Sequence, residues 1–311
     1  MGNRIYYAVQ QAGIGGANGQ PFTPIHGLQS VGISTSYSIE PVQSCGEIAL
    51  SGIIENNYEV QINLKKVLDG YSLIYLLATQ GSIDSTLHNR ALTRTSFALS
   101  VFDDKEQFAY DTPLSTLQST GLYISSVKYI FDANSNFSEE VGFVGNHKSW
   151  DTSFLGVFDN TDSPASVGGI SRRWDINLGS TIIPSEIPSD SHINNITVSA
   201  NINRENIPQF GSKIPFFRLP TLPMETTAEI TITPTGGYNI STPVNMSCTG
   251  YSSNAPQPIY ISVCNDLTVD MGTNNRLVAV SYQGGDAGGG NVKTTYTYKG
   301  YNDFTVTHLV H

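Results

Sequence analysis

The stretch Gly284-Gly285-Asp286-Ala287-Gly288-Gly289-Gly290 is the first place where this sequence could do chemistry, because glycine-rich loops let backbone N–H groups cradle a phosphate. A phosphate loop continues into Lys-Ser/Thr and opens a helix. Here Asn291-Val292-Lys293-Thr294-Thr295 follows and reads as strand, so a hairpin loop is the better reading. Glu139 and Glu140 are adjacent acids. On a strand they point to opposite faces, whereas a glycosidase needs two carboxylates flanking one bond. The histidines His26, His88, His147, His192, His308 and His311 are scattered, with no HxxxH or HxH pair. Cys45, Cys248 and Cys264 are odd in number and widely spaced, which argues against a disulfide framework. No CxxC pattern suggests a metal, and the thiols read as buried. There is no Gly-x-Ser-x-Gly elbow. The expectation is a non-enzymatic protein with no catalytic residue, cofactor or metal.

The elements around these residues are mostly strands. Arg4–Val9 is short and strand-like, and a Gly-rich loop spans Gly13 to Gly19. Leu28 to Tyr37 alternates in part, and Tyr58 to Leu64 alternates cleanly, as a half-buried strand does. Between them, Ile39 to Tyr58 contains Pro41, Gly46 and Gly52 and reads as a long hairpin or extended loop. Leu68 to Thr79 is leucine-rich and poor in β-branched residues, which predicts the one helix, with Asp69 as N-cap and Gly81 as stop. Further strands are expected at Thr93–Phe102, Leu122–Phe131, Phe137–Gly145, Ile193–Ile202, Thr226–Thr233, Ile259–Cys264, Leu277–Ser281, Asn291–Tyr298 and Phe304–Val310. Asp132 to Asn136 is rich in residues that tolerate turns and joins two of them as a hairpin. Pro208, Pro215, Pro220 and Pro223 exclude a central strand between Ile202 and Thr226.

This pattern has many strands and no βαβ alternation. It predicts a mainly β fold, two packed antiparallel sheets in a sandwich or barrel-like arrangement with one short α-helix. The 311 residues are read as one domain (1–311), with a surface excursion at about 149–190 and a C-terminal β-hairpin region at about 259–311. Loops of that length usually carry an interface or a function.

Charged residues make up only 14% of the chain, against roughly 25% in typical soluble proteins. The net charge of −10 disfavours sequence-independent DNA binding, which gains its energy from counterion release by cations. No apolar run approaches the roughly 18 residues that cross a bilayer, and Met1–Tyr7 lacks the apolar stretch of a signal peptide. Assembly in a cytoplasm, away from membranes, is expected. The tyrosines, 16 in number, read first as cross-strand aromatic pairs and second as a contact surface.

Four blocks of the sequence resemble phage tail tube proteins. They are His26–Thr35 running into Cys45–Leu50 and Val60–Gly70; Asn136–Asn146 with Lys148 and Trp150; Ile196–Asn201 with Arg204, Glu205 and the Pro/aromatic run Phe210–Arg218; and Asn275–Leu277 through Gly284-Gly285-Asp286 to Asn302. The resemblance lies in their number and order, since none is a chemical motif. It implies two packed sheets plus a helix, hexameric rings that stack into a hollow tube, and viral DNA passing through the lumen without specific binding. It also implies contacts with other tail proteins: a terminator, a baseplate or hub, and a sheath if the tail contracts. The chain would then reside in the virion tail after assembly in the host cytoplasm. In that family an early hairpin reaches the neighbouring ring. By position this is Ile39 to Tyr58, with Ser44, Glu47, Ile48, Leu50, Ile53 and Ile54 as the candidate contacts. Six copies carry 6 × −10 = −60 formal charges per ring, which would keep DNA from sticking.

Other classes fit the same composition. A receptor- or carbohydrate-binding virion protein would use the tyrosines and the 149–190 excursion. Another tail, baseplate or capsid decoration protein stays within the virion. A hydrolase on a β-sandwich has no motif behind it.

Overall fold

The computed structural model describes residues 10–17, 21–46, 48–102, 113–152, 158, 169–234, 246–247, 250–251, 255–264, 267–284 and 292–308. The readings at Arg4–Val9, Cys248, Glu47, His311 and Gly285–Asn291 lie outside them. In chain order the first strands are β1 (Gln10–Gly15), β2 (Phe22–Pro24), β3 (Leu28–Gln43), β4 (Leu50–Val67), β5 (Thr95–Val101), β6 (Ser115–Asp132), β7 (Ser138–Gly145) and β8 (Ser149–Asp151). Then come β9 (His192–Asn201), β10 (Arg204–Ile207), β11 (Phe217–Pro220), β12 (Glu225–Thr233), β13 (Met246–Ser247), β14 (Gly250–Tyr251), β15 (Tyr260–Val263), β16 (Leu267–Asp270), β17 (Arg276–Gln283), β18 (Lys293–Tyr301) and β19 (Thr305–His308). Two short helices, α1 (Ile74–Ala78) and α2 (Leu87–Leu92), sit between β4 and β5.

The fold is mainly β and antiparallel. Its largest feature is an eight-stranded run in the order β17-β18-β12-β9-β6-β7-β4-β3. Strand β6 belongs to two sheets. Its C-terminal half pairs with β7 and β9, while its N-terminal half pairs with β5 and β8, and β5 carries β1 and β2 beyond it. The switch falls at Gly121, whose φ of 66° is strained for any residue with a Cβ, and the β5–β6 register slips there.

Alternation fixes which face is buried. In β12, Ala228, Ile230 and Ile232 are buried while Thr227, Glu229 and Thr231 look outward. In β9, Ile196, Val198 and Ala200 do the same. A one-residue slip in either strand would turn its whole apolar set to solvent. The buried face packs on a small sheet, β15-β16-β19, and on α1. Phe304, just before β19, joins the layers: its ring lies 6.4 Å from Tyr129 of β6 and 6.1 Å from Tyr75 of α1. Burying each such ring stabilises the fold by roughly 1.5–3 kcal/mol.

The helix expected over Leu68–Thr79 is shorter, and its cap is not Asp69. Asp69 instead takes an ion pair from Lys66 at 3.1 Å and the Tyr71 N–H. Residue Leu73 stands at the N-cap with no side-chain bond. The first-turn N–H groups of Ile74 and Tyr75 go to the Glu139 carboxylate on β7, at 2.7 and 3.0 Å. At the other end Thr79, not Gly81, closes the helix. A second helix, α2, was not expected. Thr86 caps it by accepting from the Asn89 N–H.

The Gly-rich stretch is not all loop, because Gly13 to Gly15 lie in β1. A Cβ on Gly13 would come within 2.7 Å of the Phe158 ring and 2.9 Å of the Thr23 carbonyl, so glycine there lets a strand pass beneath a ring. Part of the 149–190 excursion runs along the small sheet. Asp175, Asn177 and Ile182 exchange backbone hydrogen bonds with Cys264, Ser262 and Tyr260. The C-terminal residues divide between the two layers: β17 and β18 join the large run, and β15, β16 and β19 form the small one.

Candidate assembly surface

Three surface features stand out among the described residues. The first is the ribbon formed by the outer parts of β3 and β4. The two strands pair from Leu28–Lys66 out to Gln43–Leu50. β4 also pairs with β7, but only from Val60 to Val67. Beyond the Tyr37–Tyr58 pair, whose rings are 6.0 Å apart, the ribbon is two-stranded. Directly opposite residues share a face. Ile39 faces Glu55 and Pro41 faces Ile53 on one side; Glu40 faces Ile54 and Val42 faces Gly52 on the other. Aliphatic side chains therefore stand on both faces. Ile39, Ile53 and Ile54 are each at least half exposed, and Ile48 at the tip is fully exposed. Isolated two-stranded ribbons are marginal in water.

Of the residues expected to make contact, Ser44 spends its backbone N–H and hydroxyl on Ser51 and so braces the turn. Ile48, Leu50, Ile53 and Ile54 are exposed on the ribbon, and Ile53 and Ile54 point to opposite faces. Cys45 is an exposed free thiol at the turn, against the expectation of a buried one. It sits on a two-stranded turn that has no core beneath it.

The second feature is a hairpin that sequence reasoning missed, β10–β11. Its base is clamped by arginines. Arg204 donates to the carbonyls of Ile124 (2.7 Å), Ala91 (2.6 Å) and Arg218 (3.0 Å), and its guanidinium lies over the Tyr123 ring. Burial lowers the Arg204 pKa to about 10. Arg218 donates to Glu59 at 2.9 Å and twice to Asn146 Oδ1. Burial alone would raise the Glu59 pKa, but hydrogen bonds from Gln61 and Arg218, with the Arg218 charge, bring it below its ordinary value. The hairpin's end exposes apolar residues beside Ser212 and Lys213: Phe210 fully, Phe216 by about two-thirds and Ile214 by about half. The Pro/aromatic composition of Phe210–Arg218 was the only signal that could have found it. Ribbon and hairpin flank an open groove of about 830 Å³, lined by Tyr37, Ile54 and Tyr58 on one wall and Asn206, Lys213 and Arg218 on the other.

The third feature is the large sheet itself. Its outward face is polar, with a shallow basin of about 450 Å³ among Asn63, Lys65, Lys128, Glu140, Ser199 and Glu229. Charges there offset one another: Lys65 pairs with Glu140 at 2.8 Å, and Lys299 with Glu225 at 2.8 Å. Among the described residues, both ends of the run, β3 and β17, are edges. On β17, Val280 lies opposite Tyr296 and Tyr282 opposite Thr294, both buried partners, so these side chains are on the core side of the sheet. Among the described residues they are nonetheless about half exposed.

Among the described residues, no group of three or more His, Cys, Asp or Glu could hold a metal ion. No helix among them is long and apolar enough to cross a membrane.

No protein-family model matches the sequence, and neither does any curated protein. Among solved structures, a chain of the anti-feeding prophage baseplate aligns at 12% identity over 50% of this chain and 99% of its own, with a TM-score of 0.36. A chain of the sheath/tube terminator of the extracellular contractile injection system PVC aligns at 16% identity over 49% and 99%, also at 0.36. A chain of the cap that terminates the anti-feeding prophage tube aligns at 11% identity over 49% and 94%, again at 0.36. About half of this chain has no counterpart in them, and overlap of this size carries no argument about fold or role.

Proposed function

We propose that this chain is a structural subunit of a phage-type tail, one that self-assembles into stacked hexameric rings and forms the tube through which the genome passes. The observation that carries this reading is the eight-stranded run, with one polar face and two edges that no other described strand pairs with. Unpaired edges are a liability that soluble proteins normally cover. Joining β17 of one copy to β3 of the next would satisfy both sets of main-chain groups and cover Val280 and Tyr282. Repeated about a closed axis, that heterologous contact gives a cylinder. The polar face would look onto the lumen, where the paired charges and the overall negative balance offer DNA no continuous basic track. The four sequence blocks that resemble tail tube proteins support the same reading.

In this assignment the β3–β4 ribbon, with Ser44, Glu47, Ile48, Leu50, Ile53 and Ile54, reaches the adjacent ring. Terminator, baseplate and sheath proteins are the expected partners, and the virion tail is the location. Deleting residues 44–56 tests the ribbon's role: rings should still form and the fold should persist, but stacking should stop. A deletion variant that still polymerises into tubes would refute the assignment.

A further inference from the structure

The β10–β11 hairpin pairs with no other described strand, and beyond Tyr37–Tyr58 the ribbon is two-stranded as well. The two elements form opposite walls of one groove. A buried chain of hydrogen bonds joins them. Arg218 of β11, only 5% exposed, donates from Nη1 to Glu59 Oε2 at 2.9 Å and from Nε and Nη2 to Asn146 Oδ1 at 3.2 and 3.0 Å. Asn146, just past β7 and 8% exposed, donates its own Nδ2 to the Tyr58 carbonyl at 2.6 Å. Tyr58 and Glu59 mark the place where the ribbon leaves the sheet, since β4 pairs with β7 only from Val60 onward.

We propose that Arg218 and Asn146 form a latch that couples the ribbon to the hairpin, so that ordering one element orders the other. The planar guanidinium spends three donors on two acceptors, which fixes its direction as well as its position. Both acceptors belong to the ribbon's root, Glu59 directly and Asn146 through Tyr58. The hairpin's other anchors point elsewhere: Arg204 to the Ile124 and Ala91 carbonyls, and Arg94 to the Tyr123 hydroxyl at 2.6 Å. Motion of either wall therefore strains the same buried bonds. A partner that holds the ribbon still removes freedom from the hairpin in advance, and the coupling runs equally in the other direction. The latch belongs to the single chain. On the assembly reading above, it would link ring stacking at the ribbon to the state of the hairpin.

Amide hydrogen exchange on the full chain tests the coupling by reading each variant in the opposite element. Glu59→Ala cuts the latch from the ribbon side and is read in residues 204–207 and 217–220. Arg218→Met cuts it from the hairpin side and is read in residues 37–42 and 52–58. Each should speed exchange in the other element by about fivefold or more, while β9 and β12 exchange as in wild type. The double variant should be no faster than the more affected single one, because both remove the same link. Variants that loosen only their own element, or whose effects simply add, would overturn the latch. Arg94→Met cuts an anchor that does not reach the ribbon, so ribbon exchange should stay at the wild-type rate. A ribbon loosened equally by Arg94→Met would also overturn the proposal, since any loss of hairpin anchoring would then suffice. If Arg218→Met loosens β9 and β12 too, the milder Asn146→Ser carries the test: both walls should exchange faster, and unchanged walls would refute the latch. None of these readouts involves assembly, so the latch and the tube reading stand or fall separately.

Discussion

Glu139 on β7 caps α1 from another element: its Oε2 accepts the Ile74 N–H at 2.7 Å, and its Oε1 accepts the Tyr75 N–H at 3.0 Å and the Tyr129 hydroxyl at 2.9 Å. Lys66 lies directly opposite on β4, equally buried, and donates to the Ser72 carbonyl at 2.9 Å and to Asp69. The adjacent pair Lys65–Glu140 sits on the polar face. Two neighbouring acids on one strand thus serve opposite sides of the sheet, one binding a helix to the core and the other balancing charge outside.

Removing that carboxylate should be costly. Glu139→Ala orphans two helix N–H groups and a buried tyrosine hydroxyl and strips a negative charge from beside Lys66. The expected loss is about 3 kcal/mol or more. Glu139→Gln keeps one acceptor oxygen and should lose less. Urea denaturation of the two variants against wild type measures both, and equal stability of all three would contradict the capping role.

The same residue predicts a pH dependence. Burial raises the Glu139 pKa, against the pull of Lys66 and the bonds from Tyr75, Ile74 and Tyr129. A carboxyl with a raised folded pKa gives its full stabilisation below the ordinary carboxylate range and loses it as pH rises through the folded value. Glu59 has the opposite sign, since its net shift is downward. Its bond to Arg218 stabilises above the ordinary range and is lost as pH falls. Denaturation midpoints followed across pH should show the alkaline-side loss flattened in Glu139→Gln and the acid-side loss flattened in Glu59→Gln. An unchanged pH profile in both variants would contradict these signs.

Arg218 should govern the position of the β10–β11 hairpin. Arg218→Met keeps the aliphatic stem but removes the bonds to Glu59 and Asn146. The ion pair is partly exposed on its Glu59 side, so the cost is about 1–2 kcal/mol. Amide exchange should rise in residues 204–220 and stay unchanged in β9 and β12. Uniformly faster exchange would mean that Arg218 supports the whole fold.

The ribbon should tolerate charge without unfolding. Ile53→Asp and Ile54→Asp alter opposite faces of a two-stranded element with no core beneath it, so each should change stability by less than about 0.5 kcal/mol. Both should weaken assembly, because apolar groups on both faces need a neighbour on each side. Alkylation of Cys45, exposed in the single chain, reports the same burial: it should slow on assembly in the wild type. Free reaction of Cys45 within assembled particles would show that the ribbon stays uncovered.

Strands with one buried face were legible in the sequence. β9 and β12 alternate because each lies between a core and an outer surface, and their bounds fall within a residue or two of expectation. The hairpin at Asp132–Asn136 was equally plain, since Asp132 accepts the Asn134 N–H as its composition suggests. What sequence could not show depends on distant partners. The α1 cap comes from a residue 65 positions away, so the local acid Asp69 was a false signal. α2 has only six residues, and its cues, Thr86 ahead of Leu87 and Ala91 four apart, are weak alone. β16 was missed because it is four residues long and follows a turn in which Cys264 adopts a φ of 48°. For the candidate surface, the ribbon's location was readable from Pro41, Gly46 and Gly52 between two strands. Its two-sided apolarity needed the register, and the β10–β11 hairpin needed the arginine clamps.

The central claim is that this chain closes into rings and stacks. Negative-stain microscopy of the purified, concentrated protein tests it most directly. Hollow tubes, or rings with six-fold symmetry, are the predicted result. A chain that remains monomeric or trimeric at every concentration would contradict it.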